Sequence, residues 1–217
     1  MRLWRTNNAR EPNKGCTGLP GSTCTGPKWS VIKGQVGSSR ISALAVAQKK
    51  SDLIWVGHEG GEIFKTTEGT KSSPRWLPVG TTPGPNLLPQ GRFCTSIEID
   101  PKDSETVYLT YGRYEKGAVW KTTDGGKTWH NIGNDVPNGL PEAPVYCLTI
   151  HPDNSRFIYA GTGVGVFASE DGGEHWSPTN EGPTSCAVND FFWMDRKLVA
   201  VTFGRGMFRI DLSLTAR

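Results

Sequence analysis

One stretch, Ala118–Trp129 (AVWKTTDGGKTW), limits what this chain can fold into more than any other. A short apolar-aromatic run ends at Thr122, a tight turn follows at Asp124-Gly125-Gly126, and the chain returns through Lys127-Thr128 to Trp129. Asp-Gly and Gly-Gly are turn dipeptides, because Gly accepts positive φ and an Asp side chain can accept hydrogen bonds from the backbone just downstream. Two apolar runs joined this closely predict a hairpin. Thr122 and Asp124 are expected to hold the turn's backbone N–H groups, with Trp129 folded back as an apolar plug.

The pattern recurs. Val166–Trp176 keeps every part of it, with Ser169, Asp171 and Gly173 in the turn. Ile63–Glu68 starts alike, then detours before Arg75-Trp76, and Leu3–Asn8 starts alike with Trp29 arriving after a long insertion. Met207–Asp211 repeats the opening alone. A recurrence every ~40–60 residues marks propellers, solenoids or arrays.

Thr122-x-Asp124-x-Gly126-x-Thr128-Trp129 and Ser169-x-Asp171-x-Gly173-x-His175-Trp176 resemble the Asp-box, or BNR repeat. That repeat occurs in sialidases, sortilin-type receptor domains, xyloglucanase-like glycosidases and a photosystem II assembly factor, all of them β-propellers. The resemblance implies fold rather than activity, because those families mix enzymes, receptors and assembly factors.

Short runs bounded by turn residues predict an all-β propeller of four-stranded antiparallel blades, about four per chain. Blades are expected over 41–91, 92–143 and 144–186, with partial blades over 1–40 (carrying the irregular insertion) and 187–217. The last lacks an outermost strand, and the segment around Trp29 is an unclaimed one. Exchange between the termini, or with another chain, would therefore close the ring and remove two open edges. Closure within one chain would leave Leu3–Arg5 as a surplus strand; a larger propeller that supplies further blades is the alternative.

Composition narrows the function. A net charge of +3 with no basic run argues against a nucleic-acid partner. No window approaches the ~20 apolar residues of a membrane span, and no signal peptide is visible, which fits a cytoplasmic protein or a chain without its leader. Cys16 and Cys24 flank the insertion and would staple it in an oxidising compartment, whereas Cys94 and Cys147 lie in apolar strands as buried thiols. No Cys or His spacing points to a metal, and no motif points to a cofactor.

The repeated acids Asp124, Asp171 and Glu68 belong to turns rather than to a reaction centre. Loops joining second to third strands, and one blade to the next, converge on one mouth of a propeller. They carry Arg40, Arg92, Arg113, Tyr114, Glu115 and Arg205. An Arg fork suits carboxylate or phosphate, so the expected ligand is an anionic glycan or an acidic protein segment held by a non-catalytic binding or assembly module. Pairing of Glu59 and Glu115 with these arginines is the competing expectation. The alternative function is a glycoside hydrolase of sialidase or xyloglucanase type, or a truncated propeller. No Arg-Ile-Pro string is present, only Arg40-Ile41-Ser42, and a pair of glycosidase carboxylates would have to come from residues such as Glu59, Glu115 and Asp190.

Overall fold

The computed structural model describes residues 2–11, 26–83, 87–179 and 182–212; Cys16 and Cys24 lie outside them. The described residues form seventeen strands in five antiparallel sheets. The first sheet pairs β1 (Leu3–Arg5) with β2 (Ser30–Lys33). The second holds β3 (Ile41–Val46), β4 (Ile54–His58), β5 (Ile63–Thr66) and β6 (Leu77–Val79). The third holds β7 (Cys94–Ile99), β8 (Val107–Tyr111), β9 (Val119–Thr122) and β10 (His130–Asn131). The fourth holds β11 (Val145–His151), β12 (Asn154–Thr162), β13 (Gly165–Ser169) and β14 (Ser177–Pro178). The fifth has three strands, β15 (Val188–Met194), β16 (Lys197–Thr202) and β17 (Met207–Asp211).

The expected exchange between termini is corrected at one point. The strand following Trp29 pairs with β1, Trp4 opposite Val31, and does not join the last sheet. Leu3–Arg5 is thus its partner and not surplus. Asn8 supplies the reason: its Oδ1 accepts from Lys28 N at 2.8 Å and its Nδ2 donates to Gly26 O at 3.1 Å, drawing the far end of the insertion back to the start. The fourth strands β10 and β14 have only two residues each. Residues just after those two turns give their N–H groups to the Asp carboxylate instead of to a strand ladder.

First strands of successive sheets lie side by side, β3 against β7, β7 against β11 and β11 against β15. Each seam is a layer of apolar side chains. Trp55, Leu109, Tyr111 and Trp129 fill the seam between the second and third sheets, and Tyr108, Ile150, Ile158 and Trp176 the next. Middle strands are therefore buried on both faces, which is why β4 and β8 read as unbroken apolar runs rather than alternating ones.

Polar contacts repeat at the seams too. Trp76 Nε1 donates to Ile32 O and Trp176 Nε1 to Ile132 O, both at 2.7 Å, so each Trp reaches the outer strand of the preceding sheet. In the opposite sense a basic residue on the third strand grips the turn of the following sheet. Arg5 donates to Gly69 O, Lys65 to Gly125 O, and Lys121 to Gly172 O at 2.8 Å. Charged donors strengthen such bonds to a carbonyl.

Candidate functional site

The turns come first, because they decide which acids are free to do chemistry. Thr122 Oγ1 accepts from Gly126 N at 2.9 Å, while its own hydroxyl donates to Asp124 Oδ1 at 2.8 Å. Asp124 Oδ1 also accepts from Lys127 N and Thr128 N, each at 2.9 Å, and Oδ2 from the Thr128 hydroxyl at 2.6 Å. Ser169 and Asp171 reproduce the set with Gly173, Glu174 and His175, whose ring replaces the Thr hydroxyl at 2.8 Å. Burial alone would raise both Asp pKa values, but these hydrogen bonds outweigh it and hold the carboxyls well below the usual range. Gly125, Gly126, Gly172 and Gly173 all have positive φ, the conformation for which glycine is needed. Trp129 and Trp176 are buried as plugs, Trp129 standing edge-on to Trp55. Asp171, Glu174 and His175 have ligand atoms within 4.8 Å of one another, yet the Asp171 carboxylate is already saturated by the turn.

The loop after β8 is different. Gly112–Gly117 is the longest connection between second and third strands, and Arg113 holds a left-handed φ of 136° within it. Such a backbone is uncommon outside Gly and is worth reading as a local constraint. Arg92 rises beneath the loop. It is only 7% exposed, and its Nη1 donates to Lys116 O at 2.7 Å and to Gly117 O at 3.1 Å. Nε and Nη2 are buried and make no hydrogen bond among the described residues. Glu115 lies between the two arginines, 3.8 Å from Arg92 Nε and 3.8 Å from Arg113 Nη1, too far for a hydrogen bond to either. Burial lowers the Arg92 pKa and Glu115 partly offsets that. Tyr111 packs under the guanidinium, 5.7 Å from ring centre to Cζ. Tyr114 is 70% exposed. Its hydroxyl reaches toward the neighbouring sheet, where a Cβ built on Gly163 would lie 3.5 Å away.

The six predicted site residues thus divide. Arg92, Arg113 and Glu115 come together, with Tyr114 beside them. Arg40 pairs with Glu59 at 2.8 Å, and Arg205 Nη1 donates to Thr184 O at 3.4 Å. No contact among the described residues joins Arg40 or Arg205 to the Arg92 group. Arg92 is buried and braces the 112–117 loop through two of that loop's carbonyls.

Sequence reasoning missed further titratable groups. Lys33, 4% exposed, places Nζ 3.3 Å from His58 Nε2 and 4.1 Å from the centre of the Phe64 ring. Burial lowers both pKa values, and the Lys33 charge lowers that of His58 further. His58 stands where Thr162 and Thr202 cap their own loops through Gly165 O and Gly206 O. That substitution in the repeat is the signal that could have been read. Glu98 on β7 is pushed up to about 7 by burial and, secondarily, by Asp100.

No protein-family model matches the chain. It is 24% identical to a xyloglucanase of a Paenibacillus species over 184 residues, 76% of this chain and 17% of that protein. It is 26% identical over 178 residues to xyloglucanase Xgh74A of Acetivibrio thermocellus, 72% of this chain and 19% of that one. The chain therefore spans less than a fifth of the length of these relatives. Among solved structures, an ancestral GH74 enzyme superposes with a TM-score of 0.59 at 21% identity, covering 80% of this chain and 23% of that one. YCF48 bound to D1 peptide superposes with a TM-score of 0.53 at 13% identity, covering 98% of this chain and 60% of that one. At such identities the likeness establishes the fold: the sheets are blades of a β-propeller.

Proposed function

We propose that the chain forms blades of a xyloglucanase-type propeller and engages glycan through the 112–117 loop. The observation that supports this is the similarity to proteins named xyloglucanases over roughly three quarters of the chain. Tyr114 suits the role. A largely exposed ring beside the side-chain-free Gly163 gives a sugar ring a flat apolar face to stack on and a hydroxyl to bond. Whether these blades also cleave glycan is read directly from reducing-end release on xyloglucan. Binding of xyloglucan oligosaccharides, measured by calorimetry, should weaken about tenfold in Tyr114→Ala, the scale of one aromatic contact. Absence of both binding and hydrolysis by the wild-type chain would overturn the assignment.

A second reading rests on the arginines. Taking the turns as Asp-boxes, the propeller would be a non-catalytic module for an anionic glycan or an acidic protein segment. The Arg92–Glu115–Arg113 group favours it, since Glu115 approaches both guanidinium groups without bonding either. The structure of YCF48 bound to D1 peptide offers a propeller precedent for a peptide ligand. Replacing Arg113 by Ala should weaken an acidic ligand and flatten its salt dependence; binding unchanged in both respects removes this reading.

A further inference from the structure

We infer that the fifth sheet carries an unused grip for the turn of another blade, and that its occupant is the first sheet of a second copy of this chain. The argument is one of register. The gripping residues Lys65 and Lys121 stand opposite Trp55 and Tyr108 of their sheets. The same place holds Ala168 opposite Tyr159 in the fourth sheet, and Arg209 opposite Val199 in the fifth. Ala168 grips nothing, and the next sheet carries no such turn among its described residues. Arg209 is exposed and makes no hydrogen bond or ion pair among the described residues.

The face around Arg209 is apolar. Phe192, Met194 and Met207 are 40%, 53% and 69% exposed, whereas their counterparts on earlier sheets are covered by the sheet that follows. The first sheet presents the matching half. Its turn, Thr6-Asn7-Asn8, is closed by Thr6 and Lys28 onto Asn8, and the carbonyl equivalent to Gly69, Gly125 and Gly172 is that of Ala9. The turns of the second, third and fourth sheets are each gripped from the sheet before, but no basic residue among those described grips this one. Trp4 and Val31, on the face opposite Leu3, are 50% and 36% exposed. One open grip and one ungripped turn, each framed by exposed apolar side chains, make a head-to-tail contact between copies, independent of any glycan.

Light scattering on the full chain over a range of concentrations tests this. Wild type should reach the mass of two or more chains. Arg209→Glu, a surface change, should raise the dissociation constant roughly tenfold. Trp4→Asp and Met207→Asp should each stay single, yet pair one-to-one when mixed, because each keeps one good end. If either fails to give the native Trp fluorescence, Arg209→Glu against wild type decides alone. A wild-type chain that stays single at every concentration, or Arg209→Glu associating as well as wild type, overturns the proposal.

Discussion

The turn after β9 and the turn after β5 solve one problem with different acids. In the first, Asp124 reaches the N–H groups three and four residues on, and the chain is back in a strand at His130. In the second, Glu68 occupies the same place after Thr66 but faces a longer detour. It accepts from Arg75 N, seven residues on, at 2.9 Å, and pairs with Lys71 across the detour. Both turns keep their Thr bond and both deliver a Trp to the seam, but Trp129 is buried whereas Trp76 is half-buried. A short turn closed on its Asp thus goes with a buried Trp, and a turn three residues longer, tied across its detour by Glu68, with a half-buried one.

The largest test of that contrast is the Trp itself. Trp129→Ala should cost about 3–5 kcal/mol in urea unfolding, the usual range for emptying a buried Trp site, and Trp76→Ala about half as much. Equal losses would break the comparison. Next come the seams. Glu98 opposite Tyr108 and Ala45 opposite Trp55 hold equivalent positions. Since Glu98 titrates near 7, the folded chain keeps a proton that the unfolded chain releases near ~4.3, so stability is greatest in acid and is lost as pH rises through 7. Glu98→Gln should therefore match wild type near pH 4 and exceed it by about 2 kcal/mol at pH 8. An unchanged difference across that range would show that the carboxyl is already solvated.

Asp124→Asn should cost about 2 kcal/mol at neutral pH, a figure that already discounts the solvent around the turn. Its sign runs the other way from Glu98. A depressed carboxyl stabilises above the unfolded value near ~3.9, and that contribution fades as pH falls below it, so mutant and wild type should converge in acid. Smallest is Glu68→Ala, whose partly exposed carboxylate should barely move the unfolding midpoint. A shift equal to that of Asp124→Asn would mean that the detour is as tightly tied as the short turn.

Turn chemistry made most of the fold legible. The Asp-Gly-Gly corners, the aromatic third strands and the buried Trp could be read because each depends on residues within a dozen positions. Where β2 pairs could not, since the partner choice rests on Asn8 meeting Lys28 across the insertion. The site was read less well for the same reason. Arg92 and Arg113 look alike in sequence, yet one is buried under the loop and the other stands outside it, a difference set by Tyr111 and by two carbonyls that face inward. Arg40 and Arg205 were placed on the correct kind of loop, but loop type fixes the end of the molecule and not the distance between side chains.

Gly57 and Gly161 carry a consequence beyond their own strands. A methyl at Gly57 would come within 2.5 Å of Cys94 Sγ on the adjoining sheet, and one at Gly161 within 2.4 Å of Cys147 Sγ and 2.9 Å of Val188 Cγ1. Interiors this dense give way as rigid bodies when atoms are added. A substituent at Gly57 would press on the third sheet through Cys94, and one at Gly161 on the fifth through Val188, much as a shim under a voussoir alters the curvature of an arch. How closely successive sheets stand at these two points thus depends on glycines whose missing methyl groups leave room for Cys94 and for Val188 of the sheet that follows.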